Sequence, residues 1–379
     1  MTKRLLAFAI AIMMVAMLAV GCVQTPATPQ NTNSPADSSQ PENSNEPAQA
    51  GNDDVKYKDT IIFATATEQN YMDGQMNNTN DMVLRTVYSS LVMRDSENNI
   101  VGDLADHWET SEDGRVWTFY LRQDVKWHNG KQFTSADVKA SYDRLLNAEN
   151  PVRYTSTMSI ITGCNVVDDY TIELTTADPC PMMLATLCHR ANLILDADYI
   201  EKYGTELGLT AESCNGTGPY VLKQWDMGEQ MVFEAFHDYF KGEAPTKNLI
   251  IQVMPEASSR AVALETHEVD MAEGCSSQDV LRFMEEGADM GIVVNFYPYQ
   301  GLHGFQFNCA HPIIKDTKIR QAISYAIDRE AMIDALYAPI GEYCATAPLS
   351  EVVWGYYNFG VIKQDLEKSK QLLAEAGYP

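Results

Sequence analysis

The sequence predicts an α/β fold, because strand-like and helix-like patterns follow one another within one short stretch. Trp108–Ser111 reads as a strand, residues 112–115 supply a tight turn with a glycine, and Val116–Leu121 alternates apolar and polar side chains. Thr134, with Asp137 three residues later, has the pattern of a helix N-cap, and apolar residues recur at helical spacing behind it. With 379 residues, the chain is long enough for two lobes or more.

The start of the chain has the pattern of an export signal. Lys3 and Arg4 precede a short uncharged apolar run, and Gly21-Cys22 follows it. A cysteine directly after a small residue is similar to bacterial lipoprotein signals, in which Cys22 would be acylated and become the new N-terminus. We predict a signal peptide over residues 1–21 and a lipid anchor at Cys22, since stable anchoring takes two acyl chains. The alternative is an ordinary signal peptide with an incidental cysteine.

Residues 22–55 have the composition of a disordered tether. After the cysteine they are mostly Pro, Asn, Ser, Gln, Thr and acidic residues, with almost no large apolar side chain. Such a segment cannot bury enough apolar surface to fold. As a coil of ~30 residues it would hold the globular part about 30 Å from the anchor on average.

The balance of charges argues against one class of partner. The formal net charge is −25, and it becomes −27 when Lys3 and Arg4 leave with a signal peptide that contains no acidic residue. Nucleic acid is a poor partner for so acidic a chain. The acidic excess is spread along the chain, which indicates solubility first and weak attraction for cationic ligands second.

Neither the cysteines nor any catalytic motif indicates an enzyme or a metal site. The seven cysteines after Cys22 are an odd number, they form no C-x-x-C, and no histidine lies at zinc-motif spacing from them. Cys180 and Cys188 are the first pair to test for a disulfide, and buried free thiols are the alternative. The motifs G-x-S-x-G, H-E-x-x-H, Walker A and G-x-G-x-x-G are missing, so we predict no cofactor and no enzymatic activity such as that of a peptidase.

The remaining folded part alternates strand and helix patterns. The predicted strands are Ile61–Thr67, two short strands within residues 166–174, Tyr220–Trp225, Met231–Phe236 and Asn248–Met254. The predicted helices are Asp81–Ser90, one from Thr134 that stops before Asn150-Pro151, Ala257–Thr266, one capped by Asp316 with its apolar stripe through Ile327, and Asp365–Ala376.

Three motifs together resemble family 5 of the extracellular solute-binding proteins. They are residues 104–138, which read LADHWETSEDGRVWTFYLRQDVKWHNGKQFTSADV, residues 216–220, which read GTGPY, and residues 319–329, which read IRQAISYAIDR. Val269–Ala272 and Gly304–Asn308 also look like strands of that family. Its members are extracytoplasmic receptors of ABC importers for oligopeptides, dipeptides and nickel.

The resemblance implies an α/β fold similar to the type II periplasmic binding proteins, with two lobes and an inserted third subdomain. The family continues beyond Pro379, so we expect the C-terminal part to be missing and the chain alone to be incompletely folded. The implied segments are 1–21 signal peptide, 22–55 lipidated cysteine and tether, 56–90 domain I, 91–188 inserted domain II, 189–298 the second part of domain I, and 299–379 incomplete domain III.

The resemblance also implies a function. It is the capture of an oligopeptide or dipeptide by hinge closure of two lobes, for delivery to an ABC permease and its ATPase. The protein would be held by lipid at Cys22 on the outer face of a bacterial cell membrane. The alternatives are a nickel or metal-chelate receptor of the same family, and a surface signalling or chaperone lipoprotein.

Five residues are candidates for the ligand cleft, chosen by their position in the implied lobes and by their polarity or aromatic character. They are Glu68, Tyr71, Arg153, Tyr154 and Phe305. The alternative for Arg153 is a solvated side chain on a loop. His128 lies in the turn after Trp127, where we expect it to be structural. The helix of the third motif is expected to be core structure.

The anchor prediction has a direct test. Cys22→Ser removes the sulfur that would carry lipid, so we expect the variant to leave the membrane fraction of the producing cells. The measurement is the share of protein that sediments with membranes in the parent and the variant. A serine variant that still sediments would contradict the anchor.

Overall fold

A five-stranded sheet and a four-stranded sheet carry the fold, with a small sheet of two strands beside them. The structure is a computed structural model that describes residues 56–296, 304–337, 344–351, 353 and 355–378. The strands are β1 (Thr60–Thr65), β2 (Val92–Arg94), β3 (Ile100–Gly102), β4 (Ala105–Thr110), β5 (Val116–Leu121), β6 (Ile161–Asp168), β7 (Thr171–Thr176), β8 (Tyr220–Asp226), β9 (Gln230–Ala235), β10 (Asn248–Val253) and β11 (Met271–Ala272).

Helices alternate with these strands as the sequence predicts. They are α1 (Asp81–Val87), α2 (Ser135–Leu145), α3 (Met183–Leu187), α4 (Ala197–Tyr203), α5 (Ala257–Glu265), α6 (Ser277–Met290), α7 (Thr317–Ala326), α8 (Arg329–Tyr337) and α9 (Leu366–Glu375), with short 3-10 helices at Arg190–Asn192, Gly204–Glu206 and Ala211–Ser213. Within the described residues, no helix combines the length and the apolar character that a membrane crossing requires.

The five-stranded sheet has the order β11-β1-β10-β9-β8. Strand β1 lies between β10 and β11 and runs parallel to both, whereas β8, β9 and β10 form an antiparallel meander. The parallel part of this mixed sheet needs cover on its faces. Part of that cover comes from α1, whose Val83, Leu84 and Val87 are buried.

The four-stranded sheet has the order β4-β5-β7-β6 and is antiparallel throughout. The predicted hairpin of β4 and β5 is confirmed, with Gly114 at φ +68° in its turn. Alternation along β5 is also as predicted, since Trp117, Phe119 and Leu121 are buried. The β6–β7 hairpin is present as well, although β6 begins five residues before the predicted strand.

Two large groups of buried apolar side chains form separate cores. The Trp127 core draws its members from residues 91–194, and both hairpins of the four-stranded sheet contribute to it. The Phe233 core collects residues from β1, α1, β8, β9 and β10, together with residues 193–207. The chain passes from one core to the other near Leu91 and again near Leu193. Polar contacts of side chains also join the two cores.

Lys131 makes the first of these junctions. Its ammonium lies 3.1 Å from Oδ1 of Asp137 and 2.8 Å from Oδ1 of Asp196, and both carboxylates are almost fully buried. Asp137 accepts from the backbone N–H of Thr134, which confirms the predicted cap of α2, and from the indole N–H of Trp127. Asp196 begins α4. One ammonium therefore pairs with two buried carboxylates that start two helices, and it also pairs with the exposed Asp198 (2.9 Å).

His128 makes the second junction, and it is structural, as the sequence predicts. Its Nδ1 accepts from the N–H of Gly216 (3.3 Å), so Nε2 carries the proton and lies 3.0 Å from the carbonyl oxygen of Gly218. A Cβ at Gly216 would lie 1.8 Å from the carbonyl oxygen of Val87, so no side chain fits there. Burial lowers the pKa of His128 from its ordinary 6.5 to about 4.

The segment 236–246 makes the third junction. It connects β9 to β10, yet it carries side chains that reach the Trp127 core. Lys241 pairs with the buried carboxylate of Asp103 (2.5 Å), and Lys126 pairs with Asp238 (2.8 Å). These contacts, with those of Lys131 and His128, join the two cores.

Two expectations for the later part of the chain need correction. Gly304–Asn308 is irregular rather than a strand, because none of its backbone groups pairs with another strand within the described residues. Leu366 is half-exposed rather than turned inward, whereas Leu372 and Leu373 are partly buried where α9 packs on α7. The caps predicted at Asp316 and Asp328 are present.

The cysteines Cys164, Cys180, Cys188, Cys214, Cys275, Cys309 and Cys344 are free thiols. Cys180 and Cys188, the pair that the sequence suggested for a disulfide, therefore form none. The signal peptide, Cys22 and the tether over residues 22–55 lie outside the described residues, and so does the domain boundary between residues 298 and 299.

The buried neutral imidazole of His128 predicts a pH-dependent stability. The folded pKa of about 4 lies below the ordinary value, so between pH 6.5 and about pH 4 the unfolded chain binds a proton that the folded chain does not. We expect the free energy of unfolding to fall by about 3 kcal/mol across that window because of this group. His128→Gln should lose that part of the slope, as measured by urea unfolding across the window.

The matched control is His311→Gln, which replaces an exposed histidine and should leave the slope unchanged. If His128→Gln retained the parent's full slope between pH 6.5 and about pH 4, the His128 ring would not be buried in its neutral form.

Candidate functional site

The carboxyl ends of the parallel strands meet at one edge of the five-stranded sheet. Thr65 ends β1, Val253 ends β10 and Ala272 ends β11. In open α/β sheets, ligands bind beyond this edge, where loops leave neighbouring strands. We therefore take this edge as the candidate site and call it the strand edge.

Glu273 is a polar side chain at the strand edge that two other side chains hold in place. Its Oε1 accepts from the hydroxyl of Thr65 (2.5 Å) and from the side-chain amide of Asn80 (3.3 Å). Glu273 is exposed, and its ion-pair distances to every Lys and Arg in the described part of the chain exceed 4.0 Å. Two neutral donors thus hold a carboxylate at the surface without neutralising its charge. Within the described residues its second oxygen has no hydrogen-bond partner and can accept from a ligand.

Arg260 lies beneath the strand edge and holds its loops in place. The side chain is 3% exposed, and its donors go to the carbonyl oxygens of Met254, Pro255 (2.9 Å), Glu273 (2.8 Å) and Gly274 (2.5 Å). All of these acceptors follow the ends of β10 and β11. The guanidinium therefore fixes two loops from below and is not available to a ligand.

The edge contains one partly buried thiol. Cys275 follows Gly274 and precedes the N-cap of α6. Burial raises the pKa of its thiol, so the group stays protonated at neutral pH. Among the described residues, no group of three or more His, Cys, Asp or Glu side chains is arranged to hold a metal ion.

The loop after β1, residues 66–80, borders the strand edge and carries two predicted site residues. Glu68 reaches across to the β8–β9 turn, where its Oε1 accepts from the N–H of Gly228. Tyr71 is partly buried, and its carbonyl oxygen accepts from the side-chain amide of Asn77. The structure thus brings Glu68 to the candidate site and places Tyr71 in the loop beside it.

The other three predicted residues lie elsewhere. Tyr154 is packed against the Trp127 core, and its hydroxyl donates to the carbonyl oxygen of Asn77 (2.8 Å). Arg153 is exposed, with its guanidinium 5.9 Å from the Tyr154 ring. Phe305 is 73% exposed in an irregular segment. A direct role in ligand binding stays a prediction for all five residues.

Sequence reasoning missed Glu273, Thr65, Asn80 and Arg260. A usable signal exists for two of them, because Thr65 and Glu273 end or directly follow strands that the sequence predicts. Nothing local marks Arg260 or Asn80, since their partners lie in loops brought together only by the sheet.

A groove elsewhere on the protein is a different feature. A groove of about 580 Å³ lies at one end of the four-stranded sheet, and Asp106, Tyr120, Asp168 and Tyr170 are among its lining residues. It shares no residue with the strand edge. We prefer the strand edge because its position follows from the sheet topology and its polar groups are held from below.

Comparisons with known proteins all identify solute-binding proteins as the similar class. The family model of the bacterial extracellular solute-binding proteins, family 5 (middle), matches residues 99–379. The dipeptide-binding protein of Escherichia coli (strain K12) is 32% identical over 302 residues, which cover 73% of this chain and 55% of that protein. The chain thus spans little more than half the length of this curated relative.

Solved structures give the same picture. The periplasmic binding protein DppA from Helicobacter pylori, in complex with the peptide STSA, superposes with a TM-score of 0.74 at 27% identity, covering 84% of this chain and 66% of that one. NikZ from Campylobacter jejuni, in complex with Ni(L-His), has a TM-score of 0.71 at 26% identity, covering 85% and 64%. The α/β fold predicted from the sequence, with its likeness to type II periplasmic binding proteins, is confirmed.

The role of Arg260 can be tested through stability. Arg260→Lys keeps the charge, but one ammonium cannot reach all four carbonyl oxygens, so some are left buried without a donor. We expect the free energy of unfolding to fall by about 2 kcal/mol. Urea unfolding measures the loss.

Arg282→Lys is the matched control, because this arginine is more exposed and pairs with Glu265 at the end of α5 and with Asp279 in its own helix. A surface pair contributes about 0–1 kcal/mol. Equal losses in the two variants would show that Arg260 does not hold the edge loops.

Proposed function

Because the chain belongs to family 5 of the bacterial extracellular solute-binding proteins, we propose that it captures oligopeptides or dipeptides outside the membrane for an ABC importer. It is a solute-binding protein and not an enzyme. The observation that carries the proposal is the strand edge, where Glu273 is held by Thr65 and Asn80 and keeps an oxygen for a ligand.

A peptide offers groups that suit this edge. Its main-chain N–H groups and its terminal ammonium need acceptors, and Glu273 supplies a carboxylate whose charge no base neutralises within the described residues. Glu68 adds a second carboxylate at the same edge of the sheet, where it accepts from the N–H of Gly228 in the β8–β9 turn. Contacts to main-chain groups do not depend on the side chains of the peptide, so selectivity among peptides would be loose.

Capture would follow from closure of two lobes over the ligand. We assign residues 56–90 and 189–298 to domain I, residues 91–188 to the inserted domain II, and residues 299–379 to part of domain III. The ion pairs of Lys131, Lys126 and Lys241 between the two cores support a single body made of domains I and II. Domain III would then be the moving lobe.

Delivery would take place at a membrane surface. The lipid anchor at Cys22 and the tether over residues 22–55 would keep the binding domains near the permease and ATPase of an ABC importer. These partners, and the place on the outer face of the cell membrane, are parts of the proposal that rest on the family and on the signal-like N-terminus.

A nickel chelate is the second candidate ligand. Its support is the likeness to NikZ, whose structure contains Ni(L-His). Because no metal-holding group of side chains is present in the described residues, the metal would have to arrive with its chelator, bound through the chelator's polar groups. A signalling or chaperone-like lipoprotein without transport is the remaining alternative.

Thermal unfolding of the full chain with defined probes tests the proposal. The probes are the peptide STSA, and Ni²⁺ together with L-histidine. A ligand present at 100 times its Kd stabilises the folded state by about 2.7 kcal/mol, which raises the Tm by several degrees. A shift with the peptide supports the proposal, and a shift with the nickel chelate alone overturns it in favour of the second candidate.

A variant of the strand edge locates the site. Glu273→Gln keeps the shape of the side chain but removes its charge, so we expect peptide affinity to fall about tenfold in calorimetric titration. The matched control is Glu286→Gln on the exposed side of α6, which should bind as the parent does. Unchanged affinity in Glu273→Gln would remove the strand edge as the site.

A further inference from the structure

The loop of residues 66–80 is fixed from outside the five-stranded sheet. One end of this loop carries Glu68, and its other end, Asn80, bonds to Glu273 at the strand edge. Between these ends, Asp73, Gln75 and Asn77 are fully buried, although all three are polar. Buried polar groups need partners, and here the partners come from elements that surround the Trp127 core.

Arg144, at the end of α2, makes the strongest of these contacts. Its Nη2 lies 2.6 Å from Oδ2 of Asp73, and its Nη1 donates to Oε1 of Gln75 (2.9 Å). The amide of Gln75 returns a bond to the carbonyl oxygen of Ser141 in the same helix (2.8 Å). A charge-assisted pair with buried partners fixes both position and direction.

Two further donors complete the set. The hydroxyl of Tyr154 donates to the carbonyl oxygen of Asn77 (2.8 Å). Arg190 donates through Nη1 to the carbonyl oxygen of Thr79 (2.7 Å) and to Oδ1 of Asn77 (3.2 Å). Together with Arg144, these residues supply every cationic or hydroxyl contact that reaches the middle of the loop from residues 91–194.

The order they impose reaches the strand edge through the loop itself. The hydroxyl of Thr79 donates to Oε1 of Gln69 (2.9 Å), and the amide of Gln69 donates to the carbonyl oxygen of Asn80 (3.2 Å). Asn80 in turn holds Glu273. A shift of Asn77 or Thr79 would therefore move the polar groups that face a ligand.

We propose that Arg144 and Tyr154 of the inserted domain, together with Arg190 just after it, are positioning residues that set the conformation of the ligand-binding loop without touching the ligand. The inference rests on the proposed function, because it takes the strand edge as the ligand site. It gives the inserted domain a structural role, which is to hold the loop of residues 66–80 in place at the strand edge. It also gives Tyr154 a role that differs from the direct contact expected from the sequence.

The test uses Tyr154→Phe in the full chain, because this change removes one hydroxyl and keeps the ring packed. Arg144→Gln would leave the carboxylate of Asp73 buried without a cation, and that variant can fail to fold. Tyr170→Phe is the matched control, since Tyr170 packs against the same core and the hydroxyl bonds of the loop do not include it.

The first measurement is hydrogen–deuterium exchange, which needs no ligand. Loss of a neutral hydrogen bond changes an equilibrium constant about fivefold, so Tyr154→Phe should speed exchange of the amides of Thr79 and Gln75 about fivefold. The amides of β5 and β7 should be unchanged, and Tyr170→Phe should change neither group. Exchange at the parent's rate throughout the loop of Tyr154→Phe would overturn the brace.

The second measurement is the affinity for the peptide STSA. We expect Tyr154→Phe to weaken binding severalfold, while Tyr170→Phe binds as the parent does. If the loop loosens and affinity does not change, the positioning role is wrong. If the parent binds neither the peptide nor the nickel chelate, the proposed function fails, and the exchange result still decides whether the insert braces the loop.

Discussion

The ion cluster that Lys131 forms with Asp137, Asp196 and Asp198 is the interaction on which the rest of the structure depends. The carboxylates of Asp137 and Asp196 are buried, and each would be costly without the ammonium between them. Asp137 fixes the start of α2, and Arg144 near its end reaches the loop beside the strand edge. Helix α2 therefore connects the partly buried Lys131 at its start to the loop beside the candidate site at its end. The His128 junction repeats this design with neutral groups.

Local features of the fold could be predicted because their causes are local. The β4–β5 hairpin follows from alternation and one glycine, and the start of α2 follows from Thr134 and Asp137. The contact of His128 with Gly216 could not be predicted from spacing, since 88 residues separate the partners. At Gly304–Asn308 the sequence predicted a strand that the structure does not contain. A strand-like pattern becomes a strand only where a neighbouring strand accepts its backbone hydrogen bonds.

The candidate site was less accessible to sequence reasoning than the fold. Thr65 and Glu273 bond to each other across 208 residues, and only the pairing of β1 with β11 brings them together. Glu68 could be chosen because it directly follows a recognisable strand. Tyr154 could be noticed as an aromatic residue in the insert, but its direction toward Asn77 depends on how two cores meet. Position along the chain therefore indicated which residues lie near the candidate site. Only the packing of the folded protein distinguished residues that face a ligand from residues that hold the loop in place.

The crowding at Gly216 has a consequence for how proteins of this kind are recognised. That glycine is required because the carbonyl oxygen of Val87 occupies the place of a side chain, and the requirement arises where two cores are joined. The same holds for the neighbouring turn at His128, which bonds to the glycines of this motif. The signature stretches by which such a chain is most easily classified therefore reflect how the two cores assemble. They carry no information about the ligand, so proteins that bind different ligands can share them.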